Sequence, residues 1–152
     1  KFKAKTIKLN SIKPITDYAS FKLIKSKTIA SIPKRDYKGK IGKDKLYVNN
    51  VYRASPGNKL VAVSFAVSPK KYFDTFETGK FVMPKFSIRG KTTLGELIGM
   101  ERNKKLEIAQ LDITKQKNKW SPREITAIFS VPKRMKKFQL TAFGKAFLTG
   151  SF

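Results

Sequence analysis

The segment Leu60 to Val67 (LVAVSFAV) constrains the fold most, because apolar residues occupy both registers of an alternating pattern. As a β-strand it would place three valines and Phe65 on one face and mostly small residues on the other. A strand with these two faces is typical of a position that is buried on both sides. The sequence therefore predicts layered β structure around this segment.

Further segments along the chain alternate or are rich in β-branched and aromatic residues, which favours strands. Pro84 interrupts one of them, which predicts an edge strand or a bulge there. The turn residues Pro56 and Gly57 predict an antiparallel hairpin between the strand at 46–53 and the strand at 60–67. The candidate strands, in addition to 60–67, are residues 1–10, 21–25, 46–53, 81–89, 106–114, 124–131, 137–143 and 145–152.

One short helix is predicted near residues 92–102. Thr93 and Glu96 have the spacing of a capping box, and Leu94, Leu97 and Ile98 would form an apolar stripe at helical spacing. The predicted fold class is therefore mainly β with a minor α contribution. We expect one domain, 1–152, built as an antiparallel sheet or as a small barrel or sandwich. An OB-like barrel, curved sheets backed by a helix, and a small jelly roll of the viral coat type all agree with this order of elements.

Charge indicates the class of partner. The chain has 34 Lys and Arg but 10 Asp and Glu, a formal net charge of +24 over 152 residues. Repulsion among these cations destabilises the compact state, and a polyanion offsets it. Nucleic acid is the commonest such partner, because binding releases counterions from its phosphates. Lys greatly outnumbers Arg, which favours contacts to phosphates over bidentate reading of bases.

Residue types absent from the sequence exclude several kinds of chemistry. The chain has no Cys and no His, so disulfides, thiolate catalysis, the usual zinc sites and His-based acid–base catalysis are excluded. We predict no cofactor, no metal site and no catalytic residues, and therefore a protein that is not an enzyme. No apolar run approaches the length of a membrane span, so no integral membrane segment is expected.

The candidate binding residues lie in basic segments, several of which also contain aromatic residues. Exposed rings between lysines are typical of single-stranded nucleic-acid sites, where bases stack on the rings and cations follow the backbone. We expect Tyr72 and Trp120 to be exposed in this way, and we expect residues 34–45 to form a flexible basic loop. The predicted nucleic-acid-binding residues are Lys38, Lys40, Tyr47, Arg53, Lys70, Lys71, Tyr72, Arg89, Lys91, Lys115, Lys117, Lys119, Trp120, Lys133, Arg134, Lys136 and Lys137.

Three functions agree with these features. The first is a non-enzymatic protein of low specificity that binds nucleic acid, preferentially single-stranded DNA or RNA. The second is a structural component that coats a genome or belongs to a ribonucleoprotein, such as a capsid-like subunit or a ribosomal protein, and it allows a homo-oligomer. The third is a secreted cationic protein that binds membranes or anionic polymers. The first two predict a compartment that contains nucleic acid, namely cytoplasm, organelle or virion.

Overall fold

The protein is mainly β, as the sequence predicts. The structure is a computed structural model that describes residues 13–73, 79–108 and 110–152. The candidate strand at residues 1–10 lies outside this part of the chain. A short 3-10 turn at Ile15–Asp17 precedes the strands. These are β1 Ala19–Ile29, β2 Ile32–Ile41, β3 Asp44–Tyr52, β4 Asn58–Pro69, β5 Lys80–Val82, β6 Phe86–Arg89, β7 Glu96–Arg102, β8 Lys105–Glu107, β9 Asp112–Thr114, β10 Arg123–Pro132, β11 Lys137–Ala142 and β12 Lys145–Ser151.

Two sheets form the body of the molecule. The larger sheet has seven strands in the order β1-β4-β10-β7-β8-β2-β3. The smaller sheet has three strands in the order β12-β11-β6, and β5 and β9 form a separate antiparallel pair. Most pairings are antiparallel, and the short contact between β2 and β8 is parallel. The architecture therefore agrees with the sandwich option among the predicted forms.

The main core lies between the two sheets. It joins one face of β4 and β10 to the inner faces of β6, β11 and β12. Phe65 is fully buried in it, and its ring centroid lies 6.3, 6.1 and 6.2 Å from those of Phe21, Phe86 and Phe147. Leu60 and Ala62, on the other face of β4, pack in a second cluster with Ile32, Leu106 and Ile128. The prediction that β4 is buried on both sides is thus confirmed for its first half.

The predicted helix near 92–102 is wrong, because Glu96–Arg102 forms strand β7 between β10 and β8. Two glycines explain this outcome. A Cβ on Gly95 would lie 2.6 Å from Val131 Cγ1, and a Cβ on Gly99 would lie 2.6 Å from the carbonyl oxygen of Glu107. Glycine therefore lets this segment approach its neighbours closely, and sheet pairing overrides the helical pattern. Thr93 is buried beside Gly90 in the turn before the strand and is not a helix cap.

Two further expectations about local structure are also wrong. Residues 46–53 and 60–67 do not form a hairpin with each other, because β3 pairs with β2 whereas β4 lies between β1 and β10. Residues 34–45 are not a flexible loop, because they form most of β2, a tight turn at Gly42 and the start of β3. The interruption of 81–89 at Pro84 and the predicted edge strand are confirmed, since β6 lies at the edge of the smaller sheet, whereas β5 belongs to the separate pair with β9.

Candidate nucleic-acid interface

A basic groove crosses one end of the smaller sheet. It has a volume of about 810 Å³, and Arg89, Lys91 and Lys137 line it together with neutral residues of β11 and β12. Arg89 is the last residue of β6 and is paired with Gln139, whose side-chain oxygen accepts a hydrogen bond from its guanidinium Nε at 3.3 Å. The groove therefore brings together Arg89 and Lys91, which are close in sequence, and Lys137, which lies more than forty residues further along the chain.

A smaller pocket adjoins this groove and extends its charge. Lys91 and Lys137 line both pockets, and Arg134 and Lys136 line the smaller one. The connecting turn is fixed by the hydrogen bond from the amide of Gly90 to the carbonyl oxygen of Thr93, 2.8 Å. No Asp or Glu among the described residues lines either pocket. The five cations, called here the basic groove set, are Arg89, Lys91, Arg134, Lys136 and Lys137.

The floor of the groove depends on a residue without a side chain. A Cβ on Gly150 would lie 2.7 Å from the ring of Phe138 and 2.8 Å from a methyl group of Leu23. Glycine at this position therefore keeps the floor low and lets the strand pack directly on the ring. The contributions of Gln139, Gly150 and the neutral residues of β12 were not found from sequence, because they carry no charge or ring that would single them out.

Tyr72 and Trp120 form a second element of the interface. Their ring centroids lie 5.6 Å apart with an edge-to-face geometry. The Nζ of Lys115 lies 5.3 Å from the centroid of Tyr72 and 5.8 Å from that of Trp120. Tyr72 is 50% exposed, as expected, but the expectation that Trp120 is exposed is wrong, because its ring is half-buried and packs against the main core. Tyr72 and Trp120, which are both predicted site residues, therefore lie together beside the ammonium group of Lys115.

Local backbone structure explains why Tyr72, Trp120 and Lys115 lie together. The amides of Lys70 and Lys71 donate to the carbonyl oxygen of Tyr18 at 2.7 and 3.2 Å, which fixes the segment before Tyr72. Lys117 and Asn118 both have positive φ, 48° and 62°, and form a turn that returns the chain so that Trp120 lies beside Lys115. This conformation is typical of a tight hairpin turn. Lys70, Lys71, Lys117 and Lys119 are exposed around the aromatic pair.

The ribbon formed by β2 and β3 is the third element. Lys34 of β2 is paired with Leu106 of β8. From Lys34 along the ribbon to Val51, none of the described residues is buried. Tyr37 and Tyr47 lie side by side, with ring centroids 5.8 Å apart, and the Arg35 guanidinium carbon lies 4.1 Å from the Tyr47 centroid. Arg35 and Tyr37 were not predicted as site residues, because the interpretation of this segment as a loop gave no reason to place their side chains beside Tyr47. Alternation of Arg35, Tyr37 and Gly39 in the sequence was the available signal.

The predicted residues on the ribbon are exposed. Lys38, Lys40 and Tyr47 lie on its two strands, and Arg53 follows β3. On the face of the ribbon opposite Tyr47, the side chain of Asn50 donates to Asp36 at 3.2 Å, and Lys34 Nζ lies 3.3 Å from the same carboxylate. The hydrogen bond from Asn50 and then that from Lys34 lower the pKa of Asp36 below its ordinary value.

Three other aromatic residues belong to or pack against the two hydrophobic clusters, and one predicted lysine lies outside the basic groove. Phe65 is a core residue, Tyr52 packs against the second cluster, and Phe73 packs against the main core. Lys133 is exposed but lies beside Gly57, whose carbonyl oxygen accepts from its amide, and it does not line the basic groove. The described residues contain no group of three or more acidic side chains that could hold a metal ion.

Comparisons with known proteins do not identify a relative. The chain matches no protein-family model, no curated protein and no solved structure. In the part of the chain that the structure describes, no helix is long and apolar enough to cross a membrane. The geometry and charge of the three surface elements are therefore the evidence that bears on function.

Proposed function

We propose that the protein is a non-enzymatic nucleic-acid-binding protein of low sequence specificity that prefers single-stranded DNA or RNA. The observation that carries this proposal is the basic groove set, in which five cations from two distant segments surround adjoining pockets that no described Asp or Glu lines. Such a site attracts a chain of phosphates, because each ammonium or guanidinium group that neutralises a phosphate releases a condensed counterion, and this release adds favourable entropy.

The aromatic pair supports the preference for single strands. An exposed ring such as Tyr72 offers a face on which an unpaired base can stack, whereas bases in a duplex are already stacked on each other. Lys115 lies close enough to both rings to meet the phosphate of a stacked nucleotide. The Lys-rich composition supports low specificity, because an ammonium group contacts phosphates without the planar fork that reads guanine.

A structural protein that coats a genome is the second candidate. The sandwich architecture and the exposed outer strand β3 favour it, because neighbouring subunits of a coat meet through surfaces of this kind. Light scattering of the protein bound to a long nucleic acid distinguishes the two functions. A large regular assembly favours the coat protein, and independent complexes favour the first proposal.

Salt dependence tests the proposed function directly. If the five cations of the basic groove set each contact one phosphate, the logarithm of the association constant should fall with the logarithm of salt concentration with a slope of about −3.5 on single strands. Fluorescence anisotropy with matched single-stranded and double-stranded DNA and RNA measures this slope. A slope near zero, or an absence of binding in dilute buffer, would contradict the proposal.

Replacing the exposed ring tests the stacking contribution. We expect Tyr72→Ala to weaken binding of single strands by about 1–3 kcal/mol, because one stacked base is lost. Tyr72→Phe keeps the ring and should bind like the wild type. Duplex affinity should change much less in Tyr72→Ala. Equal losses for Tyr72→Ala and Tyr72→Phe, or equal losses on duplex and single strands, would show that stacking is not the role of this side chain.

A further inference from the structure

The two edge strands of the large sheet differ in their protection against pairing with another strand. β1 carries Lys22, Lys25 and Lys27, is irregular between Leu23 and Lys25, and is held to β12 by the hydroxyl of Ser26, which donates to a carbonyl oxygen at 2.5 Å. Lysines and irregularities of this kind are the usual means by which proteins prevent edge-to-edge association. The β1 edge is therefore protected.

The β3 edge lacks this protection from Leu46 to Tyr52, although Asp44 and Lys45 lie at its start. The segment from Leu46 to Tyr52 contains no charged residue and no proline, in a chain of which 29% of the residues are charged. The register shift in the ribbon falls between Tyr37 and Gly39 of β2, so β3 itself remains regular. As the last strand of the sheet, β3 presents its outer row of backbone donors and acceptors without a strand neighbour among the described residues.

Several large apolar side chains of β3 are exposed. Leu46, Tyr47, Val48 and Val51 are 42%, 42%, 49% and 47% exposed. Together with Tyr37 and Ile41 they make up six of the eleven large apolar side chains recorded as exposed in the described part of the chain. A regular edge segment that has no charge from Leu46 to Tyr52 and exposes apolar residues on both faces is a site at which another strand adds to the sheet.

We propose that β3 pairs antiparallel with β3 of a second copy of this chain. Charge argues for this occupant. An acidic strand would be drawn to a lysine-bearing edge such as β1, whereas an uncharged edge is matched by an uncharged strand. The Leu46–Tyr52 segment of a second copy is such a strand, and the two rows of backbone groups then satisfy each other. The interface is isologous and joins two seven-stranded sheets into one.

A register that obeys two-fold symmetry avoids charge conflicts. When the symmetry axis passes between the two copies of Val48, these valines face each other and Leu46 faces Asn50. Lys45 then lies opposite Val51 and Asp44 opposite Tyr52, so no two like charges are directly opposed within β3, and Lys43 and Arg53 face each other only beyond its ends. Opposed like charges destabilise strand pairs, and apolar pairs stabilise them. Sequence and symmetry are therefore compatible with self-pairing.

Salt should affect this pairing and nucleic-acid binding in opposite directions. Each copy carries a net charge of +24, so approach of two copies is opposed by repulsion that salt screens. Dimerisation therefore strengthens as salt increases, whereas binding to phosphates weakens. Self-association in high salt, without nucleic acid, separates this inference from the proposed function, and each can fail without the other.

Sedimentation at high salt tests the inference. We expect the wild type to be a dimer and Val48→Lys/Val51→Lys to be a monomer, with the dimer dissociation constant raised by roughly 100-fold, because lysines would then crowd the shared edge. Ile24→Lys on β1 is the matched control, since Ile24 is 47% exposed, and it should remain a dimer. A wild type that stays monomeric at all concentrations, or a double variant that still dimerises, overturns the inference.

A single cysteine gives an independent readout, because the chain contains none of its own. Cα atoms of directly opposed residues in antiparallel strands are about 4.5–5.5 Å apart, a separation that a disulfide spans. Under mild oxidation Val48→Cys should form covalent dimers, and Ile24→Cys should not. Equal crosslinking of the two variants would overturn the assignment of the interface to β3.

Discussion

Replacing Arg89, Lys91 and Lys137 together by Gln should weaken binding of single-stranded nucleic acid at low salt by roughly 10²–10³-fold. These three side chains line the larger pocket of the basic groove, and they belong to β6, the turn after it and β11. Each lost phosphate contact removes about 0.7 from the salt slope on single strands, so the slope should fall in magnitude by about 2. Titrations at two or more salt concentrations measure both quantities.

A matched variant separates the groove from the overall charge. Lys85, Lys104 and Lys105 are exposed and line neither pocket of the groove, so their replacement by Gln lowers the net charge by the same three units at other positions. This control should lose much less affinity than the groove variant. Equal losses in the two variants would show that binding depends on diffuse charge and that the groove is not the site.

Phe65→Ala should lower the free energy of unfolding by about 3–5 kcal/mol. The ring is fully buried at the centre of the sandwich, in contact with aromatic residues from β1, β6 and β12. Its removal leaves a cavity. The three strands that contact the ring could fill this cavity only by moving inward, and their hydrogen-bonded partner strands hold them in place. Urea denaturation followed by circular dichroism measures the change.

Two further variants serve as controls for the Phe65→Ala measurement. Phe65→Leu retains most of the buried volume and should have intermediate stability, which provides a measurement if the Ala variant does not fold. Ile108→Ala removes a side chain that is 94% exposed and should change stability by less than about 0.5 kcal/mol. A Phe65→Ala variant as stable as Ile108→Ala would contradict the position of Phe65 in the core.

The sequence was most informative where one segment carries a complete pattern. The alternation in Leu60–Val67 identified β4 and the burial of its first half on both sides, and Gly144 correctly separated β11 from β12. It failed where pairing depends on distant residues. The Thr93–Glu96 pattern is helical in isolation, and only contact with β10 and β8 shows why Gly95 and Gly99 are needed.

The candidate site shows the same division. Lysines flanking Tyr72 and Trp120 indicated exposed rings, and Tyr72 is indeed exposed. No local signal could show that these rings meet, because a turn with two residues at positive φ brings them together. The basic groove set likewise depends on pairing of β6 with β11, which joins segments about fifty residues apart. Pairing between distant strands is decided by the whole core and not by either segment.

The central position of β4 has a consequence for synthesis of the chain. Its neighbours on either side are β1, which precedes it, and β10, which begins more than fifty residues after it ends. At translation rates of 5–20 residues per second, about 3–10 s pass between completion of β4 and emergence of β10 from the ribosome's active centre. Throughout that delay, the edge of β4 that later pairs with β10 has no partner strand in the nascent chain. Binding by a chaperone would therefore protect this apolar strand most at this stage.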